Sequence, residues 1–130
     1  MSLLNIRETM KRGLFRCVLL LMFLVSPAVA GEADVLHVEV SRSVDKLYTF
    51  AVSVEHADTG WDHYADKWEI LDDKDDVLGE RILYHPHVDE QPFTRRLGGV
   101  EIPANIKKVK IRAHDSVHGY GGRAVIVVLP

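Results

Sequence analysis

Sulfur is almost missing from this chain of 130 residues. The single cysteine, Cys17, lies in an apolar N-terminal stretch, and the three methionines also precede residue 31. Residues 31–130 therefore cannot form a disulfide or offer a catalytic thiolate. Any metal bound there must be held by imidazole, carboxylate or backbone oxygen, because no sulfur ligand is present.

Long apolar runs are also few. The longest lies in an N-terminal segment that has the pattern of a secretory signal peptide. Basic residues at positions 7, 11, 12 and 16 precede the run "CVLLLMFLV", and "SPAVA" follows it with Ala28 and Ala30 in the small-residue positions of a cleavage site. This run is too short to span a bilayer, which takes about 20 apolar residues. We expect residues 1–30 to be a signal peptide and 31–130 a single periplasmic or secreted domain. Cys17 follows Arg16 instead of small residues, so no lipid anchor is expected.

Excess positive charge is lacking as well. Removing the predicted signal takes away four of the 16 basic and one of the 19 acidic residues, which leaves 12 against 18. An acidic domain argues against binding to nucleic acid or to an anionic membrane surface after signal cleavage. No G-x-S-x-G motif, P-loop or Cys–His arrangement occurs either. The sequence therefore favours a non-enzymatic domain over a metalloenzyme, in which Glu90 would be the acid or base near a histidine-bound ion.

The pattern that is present has a period of two. Seven short segments alternate in this way or form apolar runs: "VLHVEV", "LYTFAVSVEH", "DKWEIL", "VLGERILY", "FTRRL", "KKVKIRAH" and "AVIVVL". Such closely spaced strands are typical of an all-β antiparallel sandwich or small barrel. The alternation predicts that Trp68 is buried and that Trp61 lies in a loop. The continuous run "AVIVVL" is expected to be a central strand.

The last third of the chain, "GVEIPANIKKVKIRAHDSVHGYGGRAVIV", resembles the end of immunoglobulin-like and fibronectin type III domains. A proline-bearing corner, an alternating strand, a glycine-rich loop and a final strand follow one another, although the corner tyrosine of those domains is absent. Trp68 matches their buried core tryptophan. The resemblance implies a seven-stranded immunoglobulin-like sandwich and no particular function. The stretch "HPHVDEQPFTR" is similar to uncharacterised small exported bacterial proteins.

Antiparallel alternation predicts that three loops share one end of such a sandwich. They begin after the second, fourth and sixth strands and carry five of the seven histidines: His63, His85, His87, His114 and His118. Acidic residues accompany them, including Asp89 and Glu90. Loops at one end of a scaffold are a common place for function.

His85 and His87, two residues apart, can face the same way and chelate one ion. His118, His63 or His114 could complete the site, with Asp89 or Glu90 as a further ligand or a partner of a histidine. Imidazole ligands suit Cu(II) or Zn²⁺. His37 and His56 are expected to be structural or surface residues.

Two alternatives stay open. In the first, the same acidic and aromatic loops form a metal-free module that binds an exported protein partner or another ligand. In the second, "GERILYHPHVDEQPFTRRLGG" resembles the first cupin motif, with Gly79, His85, His87 and Glu90 at the matching positions. That resemblance implies a small metal-bearing barrel, but Glu90 comes early and no second cupin motif is visible.

Overall fold

A computed structural model describes residues 31–130, which form two antiparallel sheets packed face to face. The predicted signal peptide lies outside the described residues. The strands are β1 (Asp34–Arg42), β2 (Tyr48–Glu55), β3 (Ala65–Leu71), β4 (Val77–Ile82), β5 (Phe93–Val100), β6 (Lys108–Asp115) and β7 (Val125–Val128). One sheet has the order β1-β2-β5 and the other β4-β3-β6-β7. The all-β sandwich prediction is confirmed, and the separate three- and four-stranded sheets differ from the single closed sheet of a cupin-like barrel.

The core lies between the two sheets and follows the period-two pattern. Phe50, Val52 and Val54 of β2 are fully buried, and Val109, Ile111 and Ala113 of β6 are nearly so. Trp68 of β3 has no exposed surface, whereas Trp61 in the β2–β3 loop is 67% exposed. Both tryptophan predictions are confirmed. The alternation of charged and apolar residues determines the register of β3 and directs Trp68 into the core.

The prediction that "AVIVVL" forms a central strand is wrong. Its strand, β7, is only four residues long and lies at the edge of its sheet, paired with β6 alone. Ile126 and Val128 are 67% and 77% exposed. A continuous apolar run is compatible with burial on both faces, but here every second residue faces solvent, beyond the reach of the opposite sheet.

Three connections emerge at one end of the sandwich, as the antiparallel alternation predicts. The register shows this, because Ala65 at the start of β3 pairs with Asp115 at the end of β6. In the other sheet, Val54 near the end of β2 pairs with Phe93 at the start of β5. We call this region the loop end; it comprises residues 56–64, 83–92 and 116–124. No described residue belongs to a helix that could cross a membrane.

Candidate metal centre

Two polar side chains extend the inward-facing rows of β2 and β6 at the loop end. His56 lies two residues beyond Val54, and Asp115 lies two residues beyond Ala113. Strand alternation therefore directs both toward the space between the sheets. His56 is 3% exposed and Asp115 is fully buried. Buried histidine and carboxylate groups at the end of a core need partners, because their polar atoms have lost water.

These two residues meet His63 from the β2–β3 loop. The Nε2 atoms of His56 and His63 are 3.2 Å apart, and His63 Nε2 is 3.2 Å from Asp115 Oδ1. The three potential ligand atoms all lie within 4.8 Å of one another. The side chains therefore form a compact group of two imidazoles and one carboxylate, which we call the His–Asp cluster.

His118, in the β6–β7 loop, borders the His–Asp cluster on its more exposed side. Its Nδ1 is 3.2 Å from Asp115 Oδ1, and its ring centroid is 4.9 Å from that of His63. The His118 side chain is 35% exposed. It is not one of the three residues whose ligand atoms all lie within 4.8 Å of one another, so its side chain would have to move to bind the same ion.

Asp58 fixes the orientation of His56. Asp58 Oδ1 lies 2.5 Å from His56 Nδ1 and also accepts a hydrogen bond from the backbone N–H of Ala65 at 3.0 Å. A carboxylate at Nδ1 keeps the proton on that nitrogen, so that the lone pair of Nε2 points toward His63 and Asp115. Carboxylate–histidine pairs of this kind orient metal-binding imidazoles in many proteins.

Asp115 has one oxygen engaged and one without a partner. Oδ1 accepts the backbone N–H groups of Val117 at 2.9 Å and His118 at 2.7 Å. Within the described part of the chain, Oδ2 is buried without a hydrogen bond. Burial raises the pKa of Asp115, but the two backbone hydrogen bonds and the nearby histidines outweigh it, so the pKa lies below its usual value. The cluster thus contains an ionised carboxylate with a free buried oxygen, which would suit a cation.

The separations between ligand atoms can be compared with those of two coordination geometries. Zinc–nitrogen bonds of about 2.0–2.1 Å in a tetrahedron place neighbouring ligands about 3.3 Å apart. In the square-planar arrangement that suits Cu(II), bonds of the same length place neighbouring ligands only about 2.9 Å apart. The two separations of 3.2 Å in the His–Asp cluster are also ordinary lengths for a hydrogen bond and an ion pair, so they are compatible with either geometry.

His85 and His87 form a separate pair on the β4–β5 loop. Their ring centroids are 4.6 Å apart, but the His87 ring is stacked on Phe93, with centroids 3.9 Å apart and planes 8° apart. Arg95 lies 2.9 Å from His87 Nε2 and donates to it. That nitrogen therefore already has a partner, and a cationic one. His85 remains exposed.

The environment of His87 favours the neutral form of its ring. Burial is the largest cause lowering its pKa, followed by the charges of Arg95 and His85. Its backbone N–H donates to Asp58 Oδ2 at 2.7 Å. His87 thus contacts the carboxylate that orients His56, and it does so through the main chain.

The other predicted ligands lie apart from the His–Asp cluster's three ligand atoms. His114 Nδ1 is 2.5 Å from Asp66 Oδ1, and its ring packs edge-on against Tyr120. Glu90 is exposed and pairs with Arg95 at 3.5 Å. Asp89 is also exposed. The structure therefore places His63 in the cluster and His118 at its border. It leaves outside the cluster the other five predicted ligands: His85, His87, His114, Asp89 and Glu90.

His56 was expected to be structural or at the surface, yet it lies at the centre of the cluster. The sequence did contain a signal for this. His56 continues the inward series Phe50, Val52, Val54 without a break, and Asp58 repeats the spacing once more. A histidine that ends an inward-facing row is buried between the sheets, where it requires a partner.

A polar network on the outer face of β3 anchors the loop that carries His118. Tyr120 donates a hydrogen bond to Glu69, and the Arg112 guanidinium lies 3.8 Å from the centroid of the Tyr120 ring. Lys67 is 3.2 Å from Glu69. Burial raises the pKa of Glu69, but hydrogen bonds from Tyr120, Lys67 and Arg112 outweigh it and lower the pKa below the usual 4.5.

Comparison with known proteins gives one curated relative. The chain is 40% identical over 96 residues to a protein of Halomicrobium mukohataei named "Putative lipoprotein". That alignment covers 74% of this chain and 47% of the relative, so the chain spans about half the length of the relative. No family model matches the chain, and no solved structure matches it.

Proposed function

We propose that this protein is an exported domain that binds one divalent transition-metal ion at His56, His63 and Asp115. The observation that carries the proposal is the convergence of two imidazole nitrogens on a buried carboxylate whose second oxygen has no partner among the described residues. A cation there would be held by one lone pair each from His56 Nε2, His63 Nε2 and the Asp115 carboxylate. His118 is the proposed fourth ligand.

Zinc is the proposed ion. A set of imidazoles with one carboxylate is a donor combination that zinc accepts. Cu(II) is the alternative ion, because it also binds imidazole.

Export is proposed from two independent observations. The N-terminal residues have the three-part pattern of a signal peptide. The relative from Halomicrobium mukohataei carries the name of a lipoprotein, a class of exported proteins.

A second candidate function is a metal-free binding module with a small immunoglobulin-like scaffold. Trp61 and Tyr84 are 67% and 74% exposed at the loop end, and Trp61 packs edge-on against Tyr64. Exposed aromatic residues are enriched at protein interfaces. This function requires no ion, so measurements of metal content separate the two candidates.

The test is metal analysis and titration calorimetry of protein purified without a polyhistidine tag. We expect one equivalent of Zn²⁺ per chain and a loss of that binding in His63→Ala. The matched controls are His37→Ala, on the exposed face of β1, and His85→Ala, on the β4–β5 loop; both should bind like the unmodified protein.

Two results would contradict the proposal. Absence of stoichiometric binding by either Zn²⁺ or Cu²⁺ would favour the metal-free module. Loss of binding in the double variant His85→Ala, His87→Ala, with retention in His63→Ala, would place the ion at the histidine pair that the sequence predicted.

A further inference from the structure

The ligands of the His–Asp cluster come from both sheets. His56 directly follows β2, which belongs to the three-stranded sheet, and Asp115 is the last residue of β6 in the four-stranded sheet. Backbone ladders join the strands within each sheet. The two sheets are held together mainly by side chains and loops, together with a backbone hydrogen bond from Val35 of β1 to Arg123 in the β6–β7 loop. An ion bound by both His56 and Asp115 would therefore act across the sandwich.

We infer that the bound ion is a structural cross-link between the two sheets at the loop end. This inference rests on the proposed function, because it requires an ion at the His–Asp cluster. His56 and Asp115 extend the inward rows that end in Val54 and Ala113. The ion consequently occupies the position that the next layer of the hydrophobic core would fill.

The burial of the ligands favours a structural role over transport. His56 and Asp115 are almost completely buried and the His63 side chain is only 16% exposed, so an ion there would have little access to solvent. Structural zinc sites are closed by protein ligands. His118 could close this one from the solvent side.

The composition of the domain supports the same role. Residues 31–130 contain no cysteine, and small exported domains commonly gain stability from disulfides. A bond through an ion between positions 56 and 115 would close a long segment of chain. Such a link restricts the unfolded state more strongly as the enclosed segment becomes longer.

The test is amide hydrogen exchange of the full chain with one equivalent of Zn²⁺ and, separately, after treatment with a chelator, with calorimetry on the same samples. We expect zinc to slow exchange at least tenfold at the loop-end residues of both strands, 52–55 and 111–115. Residues 48–50 and 108–109, at the opposite end of these strands, should change less. His85→Ala is the control and should show the same pattern.

The outcomes separate the two proposals. If calorimetry shows no zinc binding, the proposed function fails and the cross-link with it. If zinc binds but slows exchange only in residues 57–64 and 116–120, or equally throughout the domain, the site stands and the cross-link is wrong. Asp115→Asn should remove the slowing in residues 111–115; if that variant does not fold, the comparison of zinc-loaded and chelator-treated protein decides.

Discussion

Replacing Asp58 by asparagine tests the cluster without removing any proposed ligand. Asp58 accepts three hydrogen bonds, from His56 Nδ1, Ala65 N and His87 N. The asparagine side chain has one acceptor oxygen. When that oxygen faces His56 Nδ1 and the N–H of Ala65, two of the three hydrogen bonds are retained. Loss of the negative charge then makes the His56 imidazole a weaker ligand. Changes to such supporting groups reduce metal affinity about 10–100-fold, or about 1.4–2.7 kcal/mol.

The same substitution should also destabilise the protein in the absence of metal. The side-chain amide nitrogen introduced at position 58 would face the backbone N–H of His87, which is buried at this contact. A buried donor that loses its acceptor costs about 1–3 kcal/mol. Urea unfolding in the presence of a chelator measures this cost, and competition with a chromophoric zinc chelator measures the affinity.

Asp66→Asn is the matched control. Asp66 contacts His114 Nδ1 at 2.5 Å, the same separation as between Asp58 and His56, but its histidine lies outside the His–Asp cluster. We expect unchanged zinc affinity in this variant. If Asp66→Asn weakened zinc binding while Asp58→Asn left it unchanged, His114 would be the ligand and the proposed centre would be wrong.

Two further predictions concern the fold. Trp68→Ala should lower the free energy of unfolding by about 3–5 kcal/mol because it empties a fully buried site. Trp61→Ala, at an exposed position, should change the free energy of unfolding by less than about 0.5 kcal/mol. Equal losses of the two variants in urea titrations would refute the assigned core. The pKa of Glu69 is lower in the folded protein than in the unfolded chain, where it is about 4.5. The ionised Glu69 therefore contributes its full stabilisation of the folded state above that unfolded value, and this stabilisation is lost as the pH falls through the folded pKa. Glu69→Gln should therefore be less stable at neutral pH and show a shallower decline of the melting temperature in acid; a decline as steep as that of the unmodified protein would contradict the assigned pKa shift.

Most of the fold could be predicted from the sequence, because one physical pattern controls it. Alternation of apolar and polar residues identifies strands whose one face is buried, and short connections between them imply antiparallel neighbours. The exception was β7. Its residues are apolar on both faces, so periodicity carried no information about whether Ile126 and Val128 lie inside the sheet or at its edge.

Much less of the candidate site could be predicted. The grouping of loops at one end followed from the topology, and it correctly brought His63 and His118 toward the same region. The choice among the histidines depended on tertiary contacts. The spacing of His85 and His87 favoured chelation, but nothing in that spacing indicates that Phe93 stacks on one ring or that Arg95 occupies one of its nitrogens.

The β4–β5 loop nevertheless has a role at the His–Asp cluster, and its contribution comes from the backbone. The N–H of His87 donates to Asp58, and the other oxygen of Asp58 holds His56. Any residue except proline can supply that N–H, so the identity of residue 87 gives no sign of it. The side chain instead packs on Phe93, which keeps the loop close enough for the hydrogen bond to form. A substitution such as His87→Phe, which retains a planar ring, should therefore weaken zinc binding less than His87→Gly, although neither removes a proposed ligand. Competition with a chromophoric zinc chelator ranks the two variants, and equal affinities would show that the packing of this side chain does not support the site.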